Sequence, residues 1–446
     1  LTVSKTGYAK TQPLSDYAAQ RRGGRGKSAT SMKEDDYIQH LIVTSNHATV
    51  LCFTNVGKVY RLKVYDVPQA SRGAKGRPMV NLLPLDANET ITAILPVIDA
   101  PKKFKDRLVD FQAFVKANKA KLQENEIINA HFVELEAALA ELEHGANDLS
   151  DALRIQLKQL GIELSGTDLD DDIINDFAQQ AEAVRKNFYV FMATEYGTIK
   201  RVELEQFSNV RSNGLRALEL NGDDRLIGVA ITDGEQQIML FSNEGKAIRF
   251  AETDVRSMGR SAKGVRGMRV TIGASQVEET EENDVDVEDE DNSDSVVISR
   301  IVSLVVVPET GEVLCASEHG YGKRTPVDDF PTKKRGGKGV IALKTSERNG
   351  ELIGAVSIDA SKELMLISDG GTLVRTRASE VAQTGRNAQG VRLIRLSNDE
   401  LLVGVVSVDA VEDEELEAID VVENTEVEAI TSEEVSSEPK DDTTEE

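Results

Sequence analysis

The chain has 446 residues, 40% of them apolar and only 4% aromatic, with no tryptophan. That length holds more than one domain and a sizeable core. There is no apolar run long enough to span a bilayer, no secretory start, and too few aromatics for a base-stacking surface. The formal net charge of −25 is unevenly spread: residues 411–446 carry 16 acids and one lysine, 276–294 carry 11 acids and no base, and 99–187 carry 18 acids and 11 bases, leaving +8 on the rest. A mildly basic body with acidic appendages fits a nucleic-acid partner; it also fits a near-neutral body with solubilising tails. Two cysteines give no disulfide framework and suggest a reducing, cytoplasmic compartment. Leu1-Thr2-Val3 reads as the middle of a strand, as in a fragment of a longer polypeptide.

The chain opens on the first of six copies of one pattern. An apolar strand ends in Ser or Thr, and three residues later comes a glycine that starts a second strand. The glycines are Gly7, Gly57, Gly197, Gly245, Gly320 and Gly371; the preceding hydroxyls are Ser4, Thr54, Thr194, Ser242, Ser317 and Ser368. This is a hairpin signature. Recurring about every 50 residues, it predicts blades set around an axis.

Fifteen residues after the glycines stand Arg22, Arg72, Ser212, Arg260, Arg335 and Arg386; nineteen after stand Gly26, Gly76, Arg216, Gly264, Gly339 and Gly390. Five copies therefore carry Arg-x-x-x-Gly, and the third departs, with Arg211 and Gly214 nearby. The first loop, Gln20-Arg21-Arg22-Gly23-Gly24-Arg25-Gly26-Lys27, is the most basic. Arginine offers phosphate a planar fork of donors, and glycine permits close backbone approach. If the copies are blades, their loops form a positive belt through Arg72, Lys75, Arg77, Arg211, Arg216, Arg260, Lys263, Arg266, Lys334, Arg335, Lys338 and Arg386. The plainer reading is turn glycines with solvating cations, which five loops in phase weaken. Gly23 to Ser28 imitates the end of a nucleotide-binding P-loop, but Arg21 occupies the place of its first glycine and no buried strand precedes it.

Residues 99–187 interrupt the repeats. Phe104, Leu108, Phe111 and Val115 fall at helical spacing, as do Phe132, Leu135, Leu139 and Leu142, then Leu149, Leu153, Leu157 and Leu160, then Ile173, Phe177, Ala181 and Val184. Three or four amphipathic helices packed on one another are predicted, with breaks near Gly145, Gly161 and Gly166. Their stripes read as a self-burying core; docking of a partner is the other reading. The acidic stretch at 273–297 and the tail from 411 read as disordered, either as competitors for a basic surface or as solvated chain. The predicted domains are blades at 1–98, the helical insertion at 99–187, blades at 188–410 and the tail at 411–446.

Chemistry is sparse. His40, His47, His131, His144 and His319 do not cluster, and no nucleophile–base set or calcium loop emerges. Cys52 and Cys315 share one repeat position with Met192, Leu240 and Leu366, which reads as core. Catalytic residues, metal and cofactor are therefore not expected in this chain.

Gln20-Arg-Arg-Gly-Gly-Arg-Gly26 resembles the seven-residue box of the DNA gyrase A C-terminal domain family. The resemblance continues through Arg72-Gly-Ala-Lys-Gly-Arg-Pro78, Gly264-Val-Arg-Gly267, Tyr321-Gly-Lys-Arg-Thr325 and Thr372-Leu-Val-Arg-Thr376, covering most of 1–98 and 188–408. It does not extend to the helical insertion or to the acidic loop. It implies an all-β fold, a six-bladed β-pinwheel, which here would carry a helical insertion and acidic disordered segments. It also implies non-catalytic wrapping of double-stranded DNA in support of ATP-dependent negative supercoiling, with no membrane role. The cleavage tyrosine, and the handling of ATP and magnesium, would lie in the rest of gyrase A and in gyrase B, within a nucleoid-associated bacterial heterotetramer. By the same resemblance the first-blade box would be essential to the wrap and an acidic tail could modulate it. The related topoisomerase IV domain is the nearest alternative, though its box is typically degenerate. A propeller-like scaffold for acidic partners and a binder of single strands or RNA are the others.

Overall fold

Each copy of the repeat folds as the hairpin that its sequence predicts. The hairpins are Thr2–Ser4 with Tyr8–Lys10, Thr49–Thr54 with Lys58–Lys63, Tyr189–Thr194 with Thr198–Glu203, Gln237–Ser242 with Lys246–Ala251, Glu312–Ser317 with Tyr321–Pro326, and Lys362–Ser368 with Thr372–Arg377. At Gly245 the N–H donates to the Ser242 carbonyl at 2.9 Å, and φ is +77°. A Cβ there would come within 2.1 Å of the Leu343 carbonyl oxygen of the next repeat, so only glycine closes this turn. The computed structural model describes residues 1–13, 27–28, 36, 38–71, 74–97, 104–142, 151–165, 172–271, 299–308, 310–359, 361–397 and 400–409.

A third strand flanks the first strand of each hairpin: Ile38–Leu41, Ile91–Val97, Leu226–Thr232, Ile301–Val307, Leu352–Ile358 and Leu402–Asp409. Residues from all six of these strands line one central cavity of about 800 Å³, which makes them the inner strands. The outer edge of each blade is filled by two residues from the following repeat. Arg77–Pro78 completes the first blade, Leu215–Arg216 the second, Val265–Arg266 the third, Val340–Ile341 the fourth and Val391–Arg392 the fifth. Lys27–Ser28 of the first repeat pairs with Thr372 and Leu373 of the sixth blade and closes the ring. The six four-stranded antiparallel sheets are the blades of the expected β-pinwheel.

The core lies between blades. The first two share Val3, Ala9, Val50, Cys52 and Tyr60. The sixth and first share Met365, Ile367, Ile38 and Leu41. Clusters of the same kind fill the other four junctions. This explains strands such as 49–54, in which every residue is buried: one face meets each neighbouring blade.

Between the second and third blades come five helices: α1 (Phe104–Ala117), α2 (Lys119–Glu124), α3 (Glu126–Leu142), α4 (Asp151–Ser165) and α5 (Asp172–Arg185). Their apolar stripes meet in a cluster made of helical residues alone, including Phe111, Phe132, Leu157 and Phe177. The short α2, which contributes Leu122, has too little sequence for a period to show. Gly161 lies inside α4 and does not break it, because the flanking leucines hold the helix to its neighbours. On α5 the buried isoleucine is Ile174, while Ile173 is partly buried. Gly145, Leu149 and Gly166 lie outside the described residues, as do the acidic stretch 273–297 and the tail 411–446.

Candidate nucleic-acid interface

The Arg-x-x-x-Gly segments are arches over the outer edge of the preceding blade. Four of the described arches start where one residue bridges the second hairpin strand or the residue just after it: Gln69 to Thr11, Ser257 to Arg201, Thr332 to Arg249 and Gln383 to Arg324. Each ends in the two-residue outer strand. The glycine just before that strand is left-handed in every described arch: Gly76, Gly214, Gly264, Gly339 and Gly390 have φ from +78° to +97°. At Gly264 a Cβ would lie 2.6 Å from the Ile199 carbonyl oxygen, so the turn into the strand requires glycine.

The registers explain why the third copy departs. Arg266 pairs with Thr198, Ile341 with Lys246, Arg392 with Tyr321, Pro78 with Tyr8 and Ser28 with Thr372. In all five, the residue 21 after the repeat's own glycine lies opposite the residue that follows the glycine of the blade it completes. In the third copy Arg216, only 19 after Gly197, takes that place against Lys58. Its arch is two residues shorter, and Gly214 takes the role of the later glycines.

Outer strands bearing Arg77, Arg216, Arg266 and Arg392 present exposed guanidinium groups at the perimeter. Lys75, Arg211, Lys263, Lys334 and Lys338 are exposed on the arches, and Lys27 lies in the ring-closing strand. Three arginines of the shared phase behave differently. Arg260, Arg335 and Arg386 are half-buried. Arg335 donates to the carbonyl oxygens of Asp254 (3.2 Å) and Arg266 (2.9 Å), and Arg386 reaches that of Ile341 (3.5 Å). Each of these two spans to the preceding repeat and links neighbouring arches. Gln20, Arg21, Arg22, Gly23, Gly24, Arg25, Gly26 and Arg72 lie outside the described residues.

Sequence reasoning passed over other cations at this edge. Arg392 sits at the same offset as Arg266, and that offset was the signal that could have found it. With Arg348 it brackets Tyr321: the guanidinium carbons lie 5.4 and 4.8 Å from the ring centroid, and Arg392 donates to the phenol oxygen at 2.9 Å. The bonds from Arg392 and Arg348 hold that phenol below its usual pKa. Exposed Arg256, Arg269 and Lys333 also flank the arches. Other basic residues of the second hairpin strand are structural. Arg249 donates to the carbonyls of Val327 and Phe330, and Arg324 pairs with Glu312 at 2.7 Å.

Cys52 and Cys315 are wholly buried, and burial pushes both thiols up to about 12, as befits core residues. Among the described residues no group of His, Cys, Asp or Glu is arranged to hold a metal ion, and no helix is long and apolar enough to cross a membrane.

A six-bladed ring with exchanged outer strands and a cationic perimeter defines a propeller-like class, and sequence comparison narrows it. The family model described as DNA gyrase C-terminal domain, beta-propeller, matches residues 1–45, 48–98, 189–233, 236–283, 311–359 and 362–409. The chain belongs to this family. It is 46% identical to the A subunit of DNA gyrase from Pseudomonas aeruginosa over 92% of its length, and 38% identical to that from Escherichia coli K12 over 99%. It spans only 37% and 38% of those two proteins. A solved DNA gyrase A C-terminal domain superposes with a TM-score of 0.60 at 20% identity, covering 91% of this chain and 98% of that one. The C-terminal domain of DNA topoisomerase IV gives 0.53 at 19%, covering 92% of each chain; both likenesses are of fold.

Proposed function

We propose that this chain is the DNA-wrapping part of a gyrase A protein, bending duplex DNA around its perimeter without itself catalysing a reaction. The observation that carries the reading is the common register of the outer strands, which sets Arg216, Arg266 and Arg392 at one matching position on the outer edges of the blades, with Arg77 one residue before it in the first blade. Phosphate contacts of this kind supply affinity without reading sequence. Smoothly bending a 20–30 base-pair site by 40–90° costs on the order of 1–6 kcal/mol, which contacts spread along an arc can offset. In the chain the box at 20–26 directly precedes the strand that closes the sixth blade, so its cations would act where the duplex passes the ring closure. Supercoiling would need the remainder of gyrase A together with gyrase B, with ATP and magnesium handled there.

The test is topological. A relaxed closed circle is treated with this chain and a nicking–closing enzyme, then deproteinised. The expected result is a protein-dependent change in linking number that shrinks as salt rises and vanishes when Arg21, Arg22 and Arg25 are replaced by alanine. No change at any salt concentration would remove the wrapping reading. A change that survives the triple replacement would leave wrapping in place and reduce the box to a turn.

A further inference from the structure

Beneath three of the arches lies a buried lysine. Lys10, Lys200 and Lys323 each stand three residues after their hairpin glycine, in the first, third and fifth blades, and all are at most 2% exposed. Their ammonium groups donate to backbone carbonyls of the arch laid over them by the next repeat. Lys10 Nζ reaches the Ser71 and Ala74 oxygens at 3.2 and 2.9 Å. Lys200 Nζ reaches that of Arg260, and also that of Ala217 in its own repeat at 2.9 Å. Lys323 Nζ reaches those of Gly385 and Arg386 at 2.6 and 2.5 Å. The other blades put Tyr60, Ile248 and Val374 at this position. Gly214 of the third arch sits so close to the Tyr60 ring that a Cβ would lie 2.7 Å from it, and Gly337 of the fifth arch lies over Ile248.

We propose that Lys10, Lys200 and Lys323 are positioning residues that lock the second, fourth and sixth arches with their carbonyls turned inward, so that these arches meet duplex phosphates as preset cationic elements. This rests on the perimeter being the DNA-binding edge. An arch bonded from below has less freedom to lose on binding, and its buried ammonium adds positive charge directly under the contact. Among the described arches, those over Tyr60 and Ile248 have no lysine at this seat. The lysine seats fall on alternate blades.

Burial lowers the Lys200 ammonium to about 8, with Arg260 acting in the same direction and Glu219 against it. Burial likewise lowers Lys323 to about 8; Cys315 and Asp329 oppose the shift, and Arg386 adds to it. The seated lysine therefore sheds its proton before an exposed one does. Closure of these two arches should strengthen as pH rises from about 8 towards the ordinary lysine value of 10.5. DNA draws the proton back, so duplex affinity should fall over the same window.

Two measurements on the whole chain test this. In the unsubstituted protein, hydrogen-exchange protection corrected for intrinsic rate should rise between pH 7 and pH 9.5 in arches 259–264 and 385–390, and stay level in 209–214 and 333–339. An equal response in all four would overturn the proposal and needs no variant. In the double variant Lys200→Met, Lys323→Met, the first two arches should lose protection at pH 7. Affinity for a linear duplex should fall about ten-fold, and its decline through pH 8 should disappear. A folded double variant with unchanged affinity and unchanged pH dependence would refute the positioning role. If the unsubstituted chain shows no salt-dependent duplex affinity, the perimeter reading fails and takes the functional role with it, while the exchange contrast between arches still reports whether the lysines lock them.

Discussion

The ring and the helical insertion hold themselves together in different ways. No blade is complete alone: its outer strand comes from the next repeat and its core is shared with neighbours. The insertion buries Phe111, Phe132, Leu157 and Phe177 among helical residues only. It meets the ring through charge. Arg185 and Lys186, at the end of α5, pair with Glu182 and reach the third-blade turn through Glu235 (2.6 Å) and Asp233 (3.3 Å), and Lys158 of α4 joins Glu235 at 3.4 Å. The insertion and the ring thus have separate cores and meet through ion pairs.

The strongest way to break that separation is Phe177→Ala. It should cost about 3–5 kcal/mol, read in calorimetry as a fall in one transition with the other unmoved; a joint fall of both would show a single cooperative unit. Gly197→Ala attacks the ring instead. Its φ of +83° and the Met268 carbonyl oxygen 2.3 Å from a built Cβ predict a loss of about 2 kcal/mol or more, confined to the ring transition. The seam should answer to acid. Burial raises the Glu235 carboxyl, but the bond from Arg185 and the charges of Arg185 and Lys158 outweigh it and hold the group below its ordinary value of 4.5. Its contribution across the seam is present above pH 4.5 and is lost as pH falls below that value. Limited proteolysis across that range should show the insertion loosening from the ring first, and unchanged cleavage would remove the seam's role. The smallest effect is a gain. Gly161→Ala, in open space on α4, should stabilise the insertion by about 0.5–1 kcal/mol, seen as a rise in its transition alone.

Much of the ring was legible because one local job recurs six times. The Ser or Thr and the following glycine mark each hairpin, and the phase of Gly264, Gly339 and Gly390 marks each arch end. Strand exchange was not legible, since two residues such as Val340–Ile341 carry no periodicity and their partner lies in another repeat. The belt cations were read as one set, yet Arg335 and Arg386 spend their guanidinium groups on backbone carbonyls whereas Arg266 is exposed. That choice depends on a neighbour tens of residues away in the chain, which sequence spacing does not encode. The lysines at 10, 200 and 323 escaped for the opposite reason: a cation at a strand position reads as exposed until the arch above it is known.

Because every blade takes its outer strand from the repeat that follows, at a matching register, donors and acceptors are interchangeable. Adding or removing one whole repeat would keep each donor strand in register with an acceptor, including the first-repeat strand that seals the circle, so register alone does not set the number of blades. A deletion within a repeat has no such tolerance, since it leaves two neighbouring sheets unfinished at once.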